Sequence, residues 1–179
     1  MGGEVRMKAA ARDIQEVTDP AAEILEFFYP IHYKLGMALE DVLRGGQLTR
    51  KQVAILWLMR AEGEQGRRMR RKDIERLITT WLEVSSSAIT KALRSMARPP
   101  LSLVQVLEDP RSGREKQVLL TAKGQRFLAA MVEQGIQFMR GLTAHLSEDE
   151  VRRGIQFLRQ GTIALEQQRA ARVSGNGKN

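Results

Sequence analysis

The stretch Val84–Pro100, VSSSAITKALRSMARPP, sets two kinds of side chain on opposite sides of one short helix. At about 100° per residue, Ile89, Ala92, Leu93 and Met96 fall within one arc. Ser87, Thr90, Lys91, Arg94 and Arg98 form a second stripe of short hydroxyls and long cations, with no acidic residue in it. Hydroxyls and cations at this spacing suit the edges and phosphates of a DNA major groove, where Lys and Arg read guanine and Ser or Thr reaches either bases or phosphates. A solvated amphipathic helix has the same pattern, so the elements around the stripe must decide between the two.

The helix is well delimited. Ser85 suits the N-cap, and Val84 can staple onto Ile89 across it. The run ARPP ends it, because a residue before proline avoids the α region and proline cannot continue the ladder. Upstream, DIERLITTWLEV repeats Ile74, Leu77, Ile78 and Trp81 or Leu82 at helical spacing, so a helix, a break at Glu83 to Ser85 and a second helix make a helix-turn-helix. Downstream, LSLVQVLE and EKQVLLT alternate in part around the turn-rich DPRSGR, which predicts a hairpin with Arg111 and Arg114 at its tip. Arginines on such a tip are drawn to the negative potential of a minor groove, although an ordinary exposed hairpin reads the same.

Charge is distributed to match. The 179 residues carry a formal +8, and residues 67 to 116 hold 12 Lys plus Arg against six Asp plus Glu. This favours anionic partners without separating nucleic acid from a membrane surface. The run RRMRRK can touch phosphates or simply be solvated. There is no cysteine, which excludes disulfides, thiol sensing and cysteine-ligated zinc. His32 and His145 are the only imidazoles, so no metal site is expected. No motif flags a nucleophile, base and orienting group, or a phosphate-cradling glycine loop, so the chain is not read as an enzyme and no cofactor is expected. The N-terminus has no apolar core of signal-peptide type and no run reaches the ~18 apolar residues of a membrane span, so the expectation is a cytoplasmic protein.

The remaining chain is helical by pattern. Asp19-Pro20 starts a long helix carrying Ile24, Phe28, Ile31, Leu35, Ala38 and Val42, with a kink or restart expected at Pro30. Leu25, Leu39 and Leu43 widen its apolar stripe beyond what one core covers, which points to a partner subunit. Thr49 and Gln52 form a capping box, with Leu48 and Val53 at staple positions, before VAILWLMRA. Thr121 caps a helix carrying Phe127, Leu128, Met131, Val132, Ile136, Met139 and Leu142. Ser147 and Glu150 form another box before Val151, Ile155, Leu158 and Leu165 at near-heptad spacing.

In this order of elements the chain resembles the MarR family of bacterial transcription regulators. The stretches LTRKQVAILWLM, SSSAITKALRSM, DPRSGREKQVLLTAKG and LSEDEVRRGIQFL carry the resemblance, over roughly Ala22 to Leu165, and the wing followed by Leu120, Thr121 and Gly124 is its most specific part. It implies a mainly α fold with a small two-stranded β-wing: a winged helix-turn-helix lobe plus long N- and C-terminal dimerisation helices. It further implies a homodimer on a palindromic operator in double-stranded DNA, with repression the usual mode. By position, Ser86, Ser87, Thr90, Lys91 and Arg94 look like the groove-facing residues, and Arg111 and Arg114 like the wing arginines. Ser112 and Gly113 stand where family members carry an acidic residue, which braces the wing, and then an arginine. Extra residues lie near Gly66 and between DIERLI and the serines.

The boundaries that follow are an N-terminal extension at 1–18, partly disordered, and an N-terminal dimerisation helix at 19–46. The winged helix-turn-helix spans 47–121, the C-terminal dimerisation helices span 122–170, and a disordered tail occupies 171–179. Members of the family often bind small aromatic or phenolic anions, and Phe28, Tyr29, His32, Tyr33 and Trp57 offer aromatic walls for such an effector. Core packing is the other role open to them. The rival to a DNA-binding regulator is a dimeric winged-helix adaptor that binds protein, in which apolar residues would replace Thr90, Lys91 and Arg94.

Overall fold

The computed structural model describes residues 19–109 and 112–175. Helix α1, Pro20–Pro30, begins where Asp19 accepts the Ala21 N–H at 2.9 Å. The disturbance expected at Pro30 takes the form of a π-helical turn, Ile31–Gly36, rather than a break. The Ile31 N–H is shared between the Phe27 and Phe28 carbonyls just past the proline. Helix α2, Met37–Arg44, follows and ends at Gly45, whose φ of 53° is the left-handed conformation of a helix stop.

Helix α3, Arg50–Glu62, opens on the expected capping box, with both reciprocal bonds between Thr49 and Gln52 present. It supplies the centre of the core, burying Ile55, Leu56, Leu58 and Met59 completely. Each such side chain contributes about 1.5–3 kcal/mol on burial. Ile74 and Ile78 of α4 (Arg71–Ile78), Ile89 and Met96 of α5 (Ser86–Ala97), and Leu103, Val104 and Val118 close around it.

Two departures from the sequence reading concern the region before α5. The run RRMRRK, in which no strand was expected, contains one, β1 (Arg68–Arg70), so the sheet has three strands instead of two. Its order is β1-β3-β2, all antiparallel, with β2 at Val104–Asp109 and β3 at Ser112–Leu120. Met69, opposite Val118, is buried between exposed arginines, and that single apolar anchor sets the register of a strand too short to show alternation in sequence. The second departure is α4, which ends at Ile78 rather than running on through Trp81 and Leu82. The β-branched Thr79 and Thr80 turn their hydroxyls back onto the Arg76 and Leu77 carbonyls, at 2.9 and 2.7 Å, competing with continuation of the helix. Trp81, placed on the apolar stripe by periodicity, is 50% exposed.

Helix α6, Ala122–Thr143, starts under Thr121, whose hydroxyl accepts the Gly124 N–H at 2.9 Å and donates to the Ser102 carbonyl at 2.8 Å. The chain divides into two units between Met131 and Val132, so the first part of α6, with buried Leu128 and Met131, belongs to the unit containing the core. The second unit comprises the rest of α6 and α7, Glu148–Gly175. Helix α7 continues past residue 170 to Gly175, so the expected tail boundary at 171 falls inside the helix, and residues 176–179 lie outside the described residues.

The Ser147–Glu150 box is present, with the Ser147 N–H donating to Glu150 Oε2 at 2.8 Å and the Ser147 hydroxyl to the same oxygen at 2.7 Å. These bonds hold the Glu150 carboxyl below its ordinary pKa, Ser147 being the main cause. A depressed carboxyl stabilises the fold above its unfolded-state pKa, and that contribution is lost as pH falls through the folded value. In an NMR titration Glu150 is therefore expected to protonate below the ordinary glutamate range. Ser147→Ala should return it toward that range, and an ordinary glutamate value for Glu150 in the unaltered protein would show that the box is not formed in solution.

Candidate nucleic-acid interface

Helix α5 presents the two faces read from its sequence. Ile89, Ala92, Leu93 and Met96 are buried, while Ser86, Ser87, Lys91 and Arg94 are exposed and Thr90 is half-buried. Ser85 caps it by accepting the Ala88 N–H at 3.3 Å and lies 3.0 Å from the Ser87 hydroxyl. At the other end Arg98 is extended ahead of Pro99, which stops the helix at Ala97. A bond of 3.3 Å from Gln52 Nε2 to Ser95 Oγ ties α5 to the start of α3. Gln52 is only 4% exposed, so the capping residue of one helix also fixes the placement of another.

Ser87, Thr90, Lys91, Arg94 and Arg98 line one concave surface of about 810 Å³. Lys91 and Arg94 take no hydrogen bond or ion pair among the described residues, so their charges are available to a ligand. The cations of β1 and α4 differ. Arg70 Nε pairs with Asp73 at 2.6 Å, Arg76 pairs with the other Asp73 oxygen at 3.6 Å, and Lys72 bonds Glu115 of β3. Arg70 also approaches Glu115 at 3.9 Å. The charge read as a solvated or phosphate-touching run is therefore partly neutralised within the fold, and Glu115 joins the hairpin to α4.

Arg71 does something the sequence pattern did not reveal. Its Nη2 reaches across to α5, 2.9 Å from Thr90 Oγ1 and 3.3 Å from Ser86 Oγ. Which of five neighbouring cations turns inward depends on the angle between α4 and α5, and composition carries no signal for it.

Of the two wing arginines, Arg114 lies on β3 and Arg111 lies outside the described residues. The paired strands run from Val104↔Leu120 to Asp109↔Ser112, with an irregularity between Glu108 and Asp109.

The aromatic residues proposed for an effector divide. Phe28 stacks on His32 with ring centres 6.0 Å apart, Tyr29 on Tyr33 at 5.5 Å, and His32 meets Tyr33 edge-on at 4.7 Å. All four are exposed on the chain. Trp57, 37% exposed, instead has the Arg60 guanidinium 5.3 Å above its ring. Among the described residues no group of three or more His, Cys, Asp or Glu is placed to hold a metal ion. No described helix is long and apolar enough to cross a membrane.

Residues 48–124 match the family model described as winged helix DNA-binding domain. No curated protein matches the sequence. Solved structures with the same fold include a MarR family protein from Bacillus stearothermophilus, at 18% identity and a TM-score of 0.68, covering 82% of this chain and 95% of that one. A mutant of MarR from E. coli complexed with operator DNA is similar at 22% identity and a TM-score of 0.56, covering 80% of this chain and 98% of its own. The PcaV transcriptional regulator from Streptomyces coelicolor is similar at 19% identity and 0.55, covering 83% and 98%. Residues 48–124 are therefore similar to a winged helix DNA-binding domain, in a chain that shares its fold with these solved MarR structures.

Proposed function

We propose that this protein is a transcription regulator, not an enzyme, that binds a palindromic site in double-stranded DNA as a cytoplasmic homodimer and acts as a repressor. The observation that carries the reading is the cationic face of α5, with Lys91 and Arg94 unpaired among the described residues beside Ser87 and Thr90 on a concave surface. Arg114 of β3, together with Arg111, would add contacts in the neighbouring minor groove. The E. coli MarR mutant was solved on operator DNA, which supports a nucleic-acid partner for the same fold.

The dimer rests on apolar surface. Helix α7 is 28 residues long and leaves Ile155, Phe157, Leu158, Ile163 and Leu165 exposed, and α1 exposes Ile24, Leu25, Phe27 and Phe28. Two-fold pairing of identical chains covers such surfaces and presents two copies of α5 to two half-sites. The row Phe28, Tyr29, His32 and Tyr33 offers stacking to a small aromatic or phenolic effector that would release the DNA.

Selection from a random duplex pool tests the reading. Enrichment of a two-fold symmetric site, bound about a thousandfold tighter than random duplex, is the expected result. Absence of enrichment would leave the protein-binding adaptor. Arg94→Ala is expected to cost about 1–3 kcal/mol on the selected site and little on random duplex; equal losses would restrict Arg94 to phosphate contact. Arg111→Ala is expected to weaken binding to both and to lower the slope of log affinity against log salt by about one. An unchanged slope would take the wing out of the interface.

A further inference from the structure

Two of the hydroxyls assigned to the groove-facing set, Ser86 and Thr90, are engaged from inside the protein. Thr90 Oγ1 donates to the Ser86 carbonyl one turn back at 2.9 Å. The same oxygen accepts from Arg71 Nη2 at 2.9 Å. That nitrogen also lies 3.3 Å from Ser86 Oγ and 3.3 Å from Glu75 Oε2. Glu75 offsets the Arg71 charge and holds the guanidinium on the inner side of α5, so Arg71 acts as a strut between α4 and α5.

A hydroxyl has one proton and two lone pairs. Thr90 has given its proton to Ser86 and one lone pair to Arg71, so it has nothing to donate to guanine N7 and O6 or to thymine O4. What it retains for a base edge is one lone pair, which can only accept, and its γ-methyl. Thr90 nevertheless lines the concave surface beside Ser87, Lys91 and Arg94. In the major groove, thymine alone presents a methyl group, and side-chain methyls read it by apolar contact.

We propose, on the DNA-binding reading above, that Arg71 is a positioning residue that locks the Thr90 hydroxyl into the protein, making Thr90 a specificity-determining residue that selects thymine through its methyl. Lys91 and Arg94 then supply the hydrogen-bond reading on the same face, and Thr90 supplies the apolar component.

The test uses the full-length protein and its selected duplex, with each thymine replaced in turn by uracil, which removes only the 5-methyl group. The unaltered protein is expected to lose roughly fourfold in affinity at one such position per half-site, the worth of about one buried methyl. Thr90→Val, which keeps the methyl and discards the hydroxyl, should bind within about twofold of the unaltered protein and keep the uracil penalty. Thr90→Ser should lose roughly fourfold on the thymine duplex and show no uracil penalty at that position. Arg71→Met should broaden base preference there when Thr90 is present and have no further effect in the Thr90→Val background, a coupling that a merely structural role would not produce. A tenfold loss in Thr90→Val with full binding by Thr90→Ser would overturn the proposal, as would indifference to uracil at every thymine. A protein that enriches no sequence at all would remove the DNA-binding reading and this proposal together, an outcome distinct from either of those.

Discussion

Gly124→Ala is expected to destabilise the fold by about 3 kcal/mol, at the upper end of ordinary overpacking. A Cβ at this position would stand 1.9 Å from the Leu103 carbonyl oxygen and 2.9 Å from its carbon. Neither can retreat cheaply. Leu103 is buried, and its carbonyl accepts the Thr121 N–H at 3.0 Å and the Thr121 hydroxyl at 3.2 Å. The same hydroxyl caps α6 through Gly124 itself. Moving α6 to relieve the clash therefore breaks its cap and its link to the start of β2 together. The loss is a large share of the ~5–15 kcal/mol available to a domain, and a fall in melting temperature of roughly 10–20 °C should accompany it. Gly141→Ala is the control, since a Cβ there meets nothing within 4 Å and should stabilise the helix by up to about 1 kcal/mol. Equal melting of Gly124→Ala and the unaltered protein would mean that the close approach is absent in solution.

Leu158→Arg is expected to convert the proposed dimer to monomer. Leu158 is 67% exposed on one chain, in the middle of the longest helix, with Ile155 and Phe157 beside it. If two copies of α7 cover this surface, the substitution buries an unpaired guanidinium, at a cost of several kcal/mol. Two-fold symmetry applies that cost twice. Applied twice, about 3–5 kcal/mol amounts to roughly four to seven decades of dissociation constant at about 1.4 kcal/mol each, so a micromolar solution should shift to monomer in light scattering. Secondary structure should be retained, because the residue is exposed on the single chain. An intact dimer would place the interface on another surface.

The elements legible in sequence were those governed by neighbours three or four residues apart. The buried and polar faces of α5, the reciprocal boxes at Thr49–Gln52 and Ser147–Glu150, the Thr121 cap and the proline stop after Arg98 all depend on such local geometry, and each is present in the structure. The winged helix-turn-helix order follows from them, since hydrophobic periodicity and turn residues are read from a single segment at a time.

Contacts between distant segments were decided by tertiary structure. Strand β1 exists because Met69 meets Val118 across the sheet. Helix α4 stops at Ile78 because two threonine hydroxyls outcompete a periodic pattern that extended to Trp81. Gln52 reaches Ser95, 43 residues away, and Arg71 reaches Thr90, 19 residues away, through packing angles that no local rule specifies. The sequence by itself determined which residues could form an anion-facing helix. Only the tertiary structure decided which of those groups remain free, because a hydroxyl's proton and lone pairs are few and the fold commits some of them internally before any ligand arrives.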